Sequence, residues 1–287
     1  MLILVTGATG NVGRRVVTAL VNAGVRVRAL TRTSSKALFP AGVEVVEGDL
    51  SRPLSLAPAF RGVERMYLFP APATARQVVA LAKESGVRRI VVLSSGAVEY
   101  GADTKFHLPV EQAVQDSGLE WTHIRPGEFM LNKLWLWGPS IRAERDVRDP
   151  FPDAAWYPVH EQDVADAAAL VLTADRYAYK AYTLNGPELI SHREQAQAIS
   201  QAIGSAIRFE QVTPERAREI YRAQGGFAAA NADFLLGFTD YGGNVSQLDV
   251  KISFDPRALP KPATAEAVTG RARSFGEWAR DHASDFM

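Results

Sequence analysis

The chain opens with Leu2-Ile3-Leu4-Val5-Thr6-Gly7-Ala8-Thr9-Gly10-Asn11-Val12-Gly13, an apolar strand that runs into three glycines and then a helix. The first glycine allows a tight turn, the second lets backbone approach a pyrophosphate, and the third lets the helix pack close to the sheet. The helix start adds N–H groups and a partial positive charge. The stretch predicts a dinucleotide-binding turn, and a plain strand-to-helix turn is the alternative.

The residues after the glycines support the first of these readings. Apolar side chains recur at helical spacing at Val12, Val16, Val17, Leu20 and Val21. Gly24 stands where a helix would end, and residues 25–30 begin a second strand. This βαβ unit at the amino terminus predicts cofactor binding.

Helix and strand patterns alternate through the first two thirds of the chain, which indicates a parallel sheet. We predict strands at residues 2–6, 26–31, 43–47, 64–69, 88–94, 120–125 and 180–185, and helices at 11–23, 53–60, 73–84, 105–117 and 161–173. Beyond residue 126 the pattern loosens into aromatic loops and helices near 192–203, 214–224, 227–236 and 274–284. The expected fold is α/β: a Rossmann-type doubly wound parallel sheet with a smaller, mostly helical C-terminal lobe.

The domain prediction follows the same change of pattern. Residues 1–128, with 156–186 returning to them, form the dinucleotide-binding domain, and residues 129–155 and 187–287 form a smaller substrate-binding lobe. No stretch rich in Gly, Ser or charge separates the two, so we expect the lobe to be interwoven with the first domain.

Composition excludes several classes of function. The chain has 287 residues, 32 Lys plus Arg against 32 Asp plus Glu, and no cysteine. Zero net charge gives no electrostatic attraction to nucleic acid or to an anionic membrane. The lack of cysteine removes disulfides, thiol nucleophiles and thiolate metal sites. With no signal-like leader or membrane-length apolar run, we expect a cytoplasmic protein.

Several motifs together resemble the NmrA-like branch of the atypical short-chain dehydrogenases/reductases. They are Thr6 to Gly13, Gly48-Asp49-Leu50 after the third strand, Val91 to Ser95 at the fifth, and Thr122 to Gly127 at the sixth. The resemblance covers about the first 190 residues. It implies NAD(P)H binding, with either quinone or imine reduction or a non-catalytic dinucleotide-sensing role.

The resemblance also implies positions for the cofactor. Gly7, Thr9, Gly10, Asn11 and Val12 would surround the pyrophosphate, with Gly13 beneath it. Asp49 and Leu50 would flank the adenine, Pro70 and Ala71 would lie under the nicotinamide ribose, Ser94 and Ser95 behind the ring, and Pro126 above it. Asp49 could instead cap a short helix, and Pro70 could merely shape its loop.

The end of the second strand bears on the choice of nicotinamide. NAD sites usually carry an acid there, whereas this chain reads Thr31-Arg32-Thr33-Ser34-Ser35-Lys36. Arg32 could hold a 2′-phosphate, with Thr33 and Ser34 as donors and Lys36 adding charge. We therefore predict NADPH rather than NADH as the cofactor. A solvated basic loop without a role is the alternative.

The chain departs from the superfamily at the usual proton relay. A typical member protonates a carbonyl through Tyr, with Lys four residues later and a nearby Ser. Here Asp103 stands at the Tyr position, His107 at the Lys position and Gly96 at the Ser position. Standard carbonyl reduction is therefore not expected. His107 and Tyr100 are the candidate catalytic replacements, and a solvent-facing or capping histidine is the alternative for His107.

An apolar, aromatic segment follows the sixth strand and predicts a hydrophobic substrate. Its candidate contacts are Glu128, Phe129, Met130, Trp135, Trp137 and, farther along, Trp156. Flat aromatic walls suit a planar partner. The same side chains could instead form the core of the lobe or a homodimer contact.

The sequence as a whole predicts an NADPH-dependent oxidoreductase that transfers hydride to a hydrophobic, aromatic or polycyclic small molecule of the quinone or imine type. The alternatives are a non-catalytic NAD(P)-sensing regulator and a redox-neutral cyclase or isomerase on the same fold. No metal is expected, because the His residues lack ligand spacing. No nucleophile elbow of a hydrolase is present.

Overall fold

The structure is a computed structural model that describes residues 1–34, 38–245 and 262–287. It divides into two compact units. The first comprises Met1–Pro126, Glu161–Leu184 and Ala267–Arg271, and the second comprises Gly127–His160, Asn185–Glu266 and Ala272–Met287. The substrate-binding role expected of the second unit stays a prediction.

The strands and helices are numbered in chain order. The strands are β1 (Leu2–Val5), β2 (Arg26–Thr31), β3 (Glu44–Glu47), β4 (Arg65–Leu68), β5 (Arg89–Leu93), β6 (Glu120–Pro126), β7 (Asp146–Asp149), β8 (Ala155–Trp156), β9 (Lys180–Leu184), β10 (Ile190–Ser191) and β11 (Arg208–Gln211). The helices are α1 (Gly13–Asn22), α2 (Ala57–Phe60), α3 (Ala75–Glu84), α4 (His107–Gln115), α5 (Asn132–Leu136), α6 (Gly138–Glu144), α7 (Glu161–Thr173), α8 (His192–Ile203), α9 (Pro214–Gln224), α10 (Gly226–Leu235), α11 (Glu266–Thr269) and α12 (Phe275–Asp281).

The first unit is built on a seven-stranded parallel sheet in the order β3-β2-β1-β4-β5-β6-β9. The strand order reverses between β1 and β4, and such a switch point opens a crevice at the carboxyl ends of the strands. The predicted Rossmann-type fold is confirmed. Each of the seven predicted strands is present in this sheet.

Burial explains why these segments form strands and helices. All four residues of β1 are buried, as expected for a strand covered by helices on both faces. Helix α1 buries Val16, Val17 and Leu20 on one side and packs against α7, while α3 packs against α4. The apolar spacing seen in the sequence is therefore the buried face of α1.

The second unit is mostly helical, with two small sheets. Strands β7 and β11 pair in parallel, and β8 and β10 pair antiparallel. The large side chains of its core include Trp137, Phe275, Trp278 and Phe286, each at most 1% exposed. Among the described residues, no helix has the length and apolar character needed to span a membrane.

Candidate cofactor and active site

The turn between β1 and α1 requires glycine at the predicted positions. Gly7 has φ of +60°, where side chains other than glycine are disfavoured, and its carbonyl accepts a hydrogen bond from Gly10 N at 2.9 Å. A Cβ on Gly13 would lie 2.1 Å from the Gly7 carbonyl oxygen, and one on Gly10 would lie 3.2 Å from it. The first turn of α1 therefore packs backbone to backbone on the glycine turn.

The start of α1 is suited to an anion. No side chain caps this helix, and its first turn contains no acid. Arg14 and Arg15 follow Gly13 directly. Their positive charges are unfavourable there, because they lie at the positive end of the helix dipole. Arg15 pairs with Glu161 at 2.8 Å, whereas Arg14 is exposed. The bare turn and the uncapped helix fit a pyrophosphate.

Thr6 joins the glycine turn to the end of β4. Its hydroxyl donates to Tyr67 O at 3.0 Å and accepts a hydrogen bond from Phe69 N at 2.8 Å. A Cβ on Gly7 would be 3.0 Å from Cβ of Phe69, so the loop that contains Pro70 and Ala71 begins beside the turn. Thr6 is a residue that sequence reasoning missed, and its place directly before the first glycine is the signal.

Asp49 and Leu50 lie in a hydrogen-bonded turn after β3. The carboxylate of Asp49 accepts from both the backbone N–H and the hydroxyl of Ser51, at 2.9 and 2.8 Å. These bonds lower the pKa of Asp49, and the charges of Arg52 and Arg32 lower it further. The carbonyl of Leu50 accepts from Thr74 Oγ1 at 2.7 Å. The adenine contacts of both residues stay a prediction.

The predicted 2′-phosphate loop is in contact with a carboxylate from another strand. Arg32, Thr33 and Ser34 are exposed. Both the backbone N–H and the hydroxyl of Ser34 donate to Glu47 Oε1, at 2.8 and 2.7 Å. Glu47 comes from the neighbouring strand β3, so only the strand pairing reveals it. Ser35 and Lys36 lie outside the described residues.

The ends of β5 and β6 are fixed to α4 by one buried carboxylate. Glu111 is 1% exposed and accepts from Ser94 Oγ at 2.5 Å and from Arg125 at 2.9 and 2.6 Å. Burial alone would raise the pKa of Glu111, but the hydrogen bonds from Arg125 and Ser94 and the nearby charges outweigh it and lower the pKa. Ser95 Oγ caps a short 3-10 turn, and Pro126 ends β6. The cofactor contacts of Ser94, Ser95 and Pro126 stay predictions.

His107 is paired with a buried carboxylate at the start of α4. Its Nδ1 lies 2.5 Å from Oδ2 of Asp103, which is 1% exposed and also accepts from the backbone N–H of Phe106 and of His107. Burial opposes ionisation of Asp103, but these hydrogen bonds outweigh it and lower its pKa. The carboxylate fixes the proton of the neutral ring on Nδ1. Tyr100, the other candidate, is 67% exposed.

This arrangement places an Asp-His pair at the two positions where the resemblance puts Tyr and Lys. The loop from β5 to α4 and the turn from β1 to α1 both follow carboxyl ends of strands in one parallel sheet, so they share an edge of that sheet. The i, i+4 spacing of Asp103 and His107 is the sequence signal that could have identified the pair.

In the second unit, Glu128 belongs to a charged network around the buried Lys133. Lys133 is 2% exposed, and its Nζ lies 3.0 Å from Glu128 Oε1 and 3.1 Å from His192 Nε2. His192 Nδ1 lies 3.0 Å from Asp149 Oδ1. Because an ammonium can only donate, Nε2 of His192 accepts and its Nδ1–H donates to Asp149. Burial favours the neutral acids, but the charge of Lys133 lowers the pKa of both Glu128 and Asp149, and the hydrogen bond from His192 lowers that of Asp149 further.

The predicted aromatic substrate contacts differ in exposure. Trp137 is 1% exposed and Met130 is 0% exposed, and both belong to the core of the second unit, the alternative that the sequence left open. Trp135 lies 4.7 Å from Phe227 between ring centroids and borders an open cavity of about 400 Å³. Phe129 and Trp156 are half-buried. The substrate contacts stay predictions.

Comparison with known proteins agrees with the fold and the glycine turn. A family profile described as NAD(P)H-binding matches residues 7–175. The chain is 37% identical over 294 residues to the (4-alkanoyl-5-oxo-2,5-dihydrofuran-3-yl)methyl phosphate reductase of Streptomyces griseus, covering 99% of each chain. It is 30% identical to the NAD(P)H azoreductase of Xenophilus azovorans, again covering 99% of each.

A solved structure shares the fold over its whole length. The triphenylmethane reductase of Citrobacter sp., complexed with NADP(H), has a TM-score of 0.78 at 23% identity and covers 99% of this chain and 100% of that one. Fold, glycine turn and relatives together define an NAD(P)H-dependent reductase. The chain belongs to the NAD(P)H-binding family. Its fold is also that of NmrA, with a TM-score of 0.70 at 20% identity, which agrees with the NmrA-like resemblance of the sequence. The predicted reductase class and the binding of a nicotinamide dinucleotide are confirmed, and the preference for NADPH over NADH stays a prediction.

Proposed function

We propose that the protein transfers hydride from NADPH to a hydrophobic, electron-poor conjugated molecule of the quinone or imine type, without the usual Tyr/Lys proton relay. The observation that carries the proposal is the Asp103–His107 pair, 2.5 Å apart, at the positions of that relay. Similar proteins also support a conjugated acceptor, since they are named as reductases of an azo compound, a triphenylmethane and a dihydrofuranone.

Bound NADPH supplies a hydride, which is two electrons and one proton. His107 supplies the second proton from Nε2 in its doubly protonated form and keeps the proton on Nδ1. The Asp103 carboxylate stabilises the positive ring before the transfer and holds its orientation afterwards. The acceptor would thus gain two electrons and two protons, with the hydride coming from NADPH and the second proton from His107.

A conjugated acceptor needs less assistance than a simple ketone. Its negative charge is delocalised as hydride arrives, so positioning contributes more than acid catalysis. A simple ketone develops an alkoxide that a typical family member neutralises through Tyr. Because the charge of an alkoxide stays on one oxygen, hydride transfer to a ketone should be slower than transfer to a conjugated acceptor of similar size.

The test is oxidation of NADPH by the purified protein, followed by nicotinamide absorbance across matched acceptors. Quinones, imines, azo dyes and unsaturated lactones form one set, and saturated ketones and aldehydes of similar size form the control set. We expect turnover in the first set and rates about 100-fold lower in the second. Preference for ketones would contradict the proposal. Tight NADPH binding without oxidation by any acceptor would replace it with the sensing or redox-neutral alternative.

A further inference from the structure

The end of β3 places a carboxylate beside the loop predicted to read the adenosine ribose. Glu47 is the last residue of β3 and pairs in register with Thr31, the residue before Arg32. Since parallel strands end at the same edge of a sheet, the Glu47 side chain belongs to the edge where β2 ends. In an NAD site, this edge usually carries an acid on β2 itself.

The contacts of Glu47 involve the donors that a 2′-phosphate would need. Its Oε1 accepts from the backbone N–H of Ser34 at 2.8 Å and from the Ser34 hydroxyl at 2.7 Å. These two hydrogen bonds lower the pKa of Glu47, so the side chain is an anion at neutral pH. A phosphate that used the donors of Ser34 would have to displace a carboxylate of the same sign.

We infer that Glu47 determines cofactor specificity by opposing the 2′-phosphate, so that the protein accepts NADH as well as NADPH. A phosphate monoester carries between one and two negative charges and is repelled by a nearby carboxylate. The free ribose hydroxyls of NADH carry no charge and can donate to that carboxylate. Arg32, exposed on the same loop, acts in the opposite direction by attracting the phosphate.

This inference rests on NAD(P)H binding and is independent of the acceptor. It can therefore be tested by binding alone, and failure to reduce any acceptor would leave it standing. Because Glu47 and Arg32 act in opposite directions, replacing each of them should change the ratio of the affinities for NADPH and NADH in opposite directions. Neither residue is buried, so both variants are expected to fold.

Glu44 offers a matched control on the same strand. It lies at the other end of β3, where Arg26 and Arg28 hold its carboxylate at distances of 2.7 to 3.0 Å. Glu44→Gln removes the same charge as Glu47→Gln but at the opposite edge of the sheet. Any effect of net charge alone would appear equally in both variants.

The experiment is calorimetric titration of the wild type, Glu47→Gln, Glu44→Gln and Arg32→Ala with NADPH and with NADH. We expect Glu47→Gln to shift the affinity ratio toward NADPH by about tenfold. Arg32→Ala should shift it toward NADH, and Glu44→Gln should leave it unchanged. An unchanged ratio in Glu47→Gln, or an equal shift in Glu44→Gln, would overturn the inference.

Discussion

Oδ2 of Asp103 lies 2.5 Å from Nδ1 of His107, four residues later in the chain. The carboxylate is 1% exposed and also accepts backbone hydrogen bonds from the start of α4, so its position is fixed by the helix. A histidine held in this way has a defined ring orientation and tautomer. Such an arrangement suits a proton donor better than a histidine on an open surface.

Replacing His107 with Gln should remove the proposed proton donor and leave the glycine turn intact. We expect kcat with a quinone or imine acceptor to fall about 100-fold, because general acid catalysis typically contributes this much. The affinity for NADPH should stay at the wild-type level. Steady-state kinetics and calorimetry on the same preparation check both statements, and an undiminished kcat would contradict the role of His107.

Asp103→Asn tests the carboxylate separately. Asn can still accept backbone hydrogen bonds but carries no charge to stabilise a positive ring, so we expect kcat to fall about tenfold and its pH profile to change. Asp116→Asn is the matched control. Asp116 is exposed, lies at the end of the same helix α4 and forms an ion pair with Arg76. If both variants behaved alike, the effect of Asp103 would not be specific.

The buried imidazole of His123 should make the unfolding free energy depend on pH. Burial lowers its pKa to about 4, although nearby Glu111 acts in the opposite direction, and Arg125 lowers it further. Among the described residues, neither ring nitrogen has a hydrogen-bond partner, and the ring stacks on Trp121 with centroids 4.4 Å apart. The folded protein therefore keeps this imidazole neutral.

The sign follows from the unfolded state, where histidine takes up a proton below about pH 6.5. A depressed pKa in the folded state means that stability is lost as the pH falls from about 6.5 to about 4. Between pH 8 and pH 5, His123→Phe should lose about 2 kcal/mol less unfolding free energy than the wild type. Urea unfolding at both values measures this, and the difference at pH 8 isolates the packing effect. Equal pH dependence in the two proteins would contradict the assignment.

Removing one charge from the network around Lys133 should lower the unfolding free energy strongly. Lys133→Met would leave the half-buried carboxylate of Glu128 without its ammonium partner and the buried carboxylate of Asp149 without a nearby positive charge, which should reduce the unfolding free energy by about 3 kcal/mol. Adding Glu128→Gln should restore part of this loss, because the two sites are coupled. Lys180→Met, on an exposed residue of β9, should change stability by less than about 0.5 kcal/mol. Additive effects of the two changes would show that the pair is not coupled.

The sequence allowed the central sheet to be predicted because its strands are apolar runs between helix patterns. Val91, Val92 and their neighbours in β5 are buried on both faces, and such segments have few alternatives. Strand β7 was not predicted, since it reads Asp146-Val147-Arg148-Asp149 and part of its charge is balanced by ion pairs with Arg208 and Glu210 of the distant strand β11. Local pattern does not contain that information.

The sequence predicted those parts of the candidate site that depend on backbone geometry. Gly7 and Gly13 are required by a positive φ and a 2.1 Å approach, and both requirements follow from the motif. The pairing of Glu47 with Ser34 depends on the register between β2 and β3, which the sequence does not specify. Composition likewise did not distinguish buried Trp137 from half-buried Trp135, because the two lie two residues apart, Trp135 in α5 and Trp137 between α5 and α6.

The central claim is that the turn from Gly7 to Gly13 holds the pyrophosphate of the nicotinamide nucleotide. Calorimetric titration of NADPH into the wild type and Gly13→Ala tests it most directly, with Gly276→Ala as control, since a Cβ at Gly276 would meet nothing closer than 3.7 Å. We predict one NADPH bound per chain by the wild type and by Gly276→Ala, and affinity reduced at least about 100-fold in a folded Gly13→Ala. Wild-type affinity in folded Gly13→Ala, or no binding by the wild type, would contradict the account.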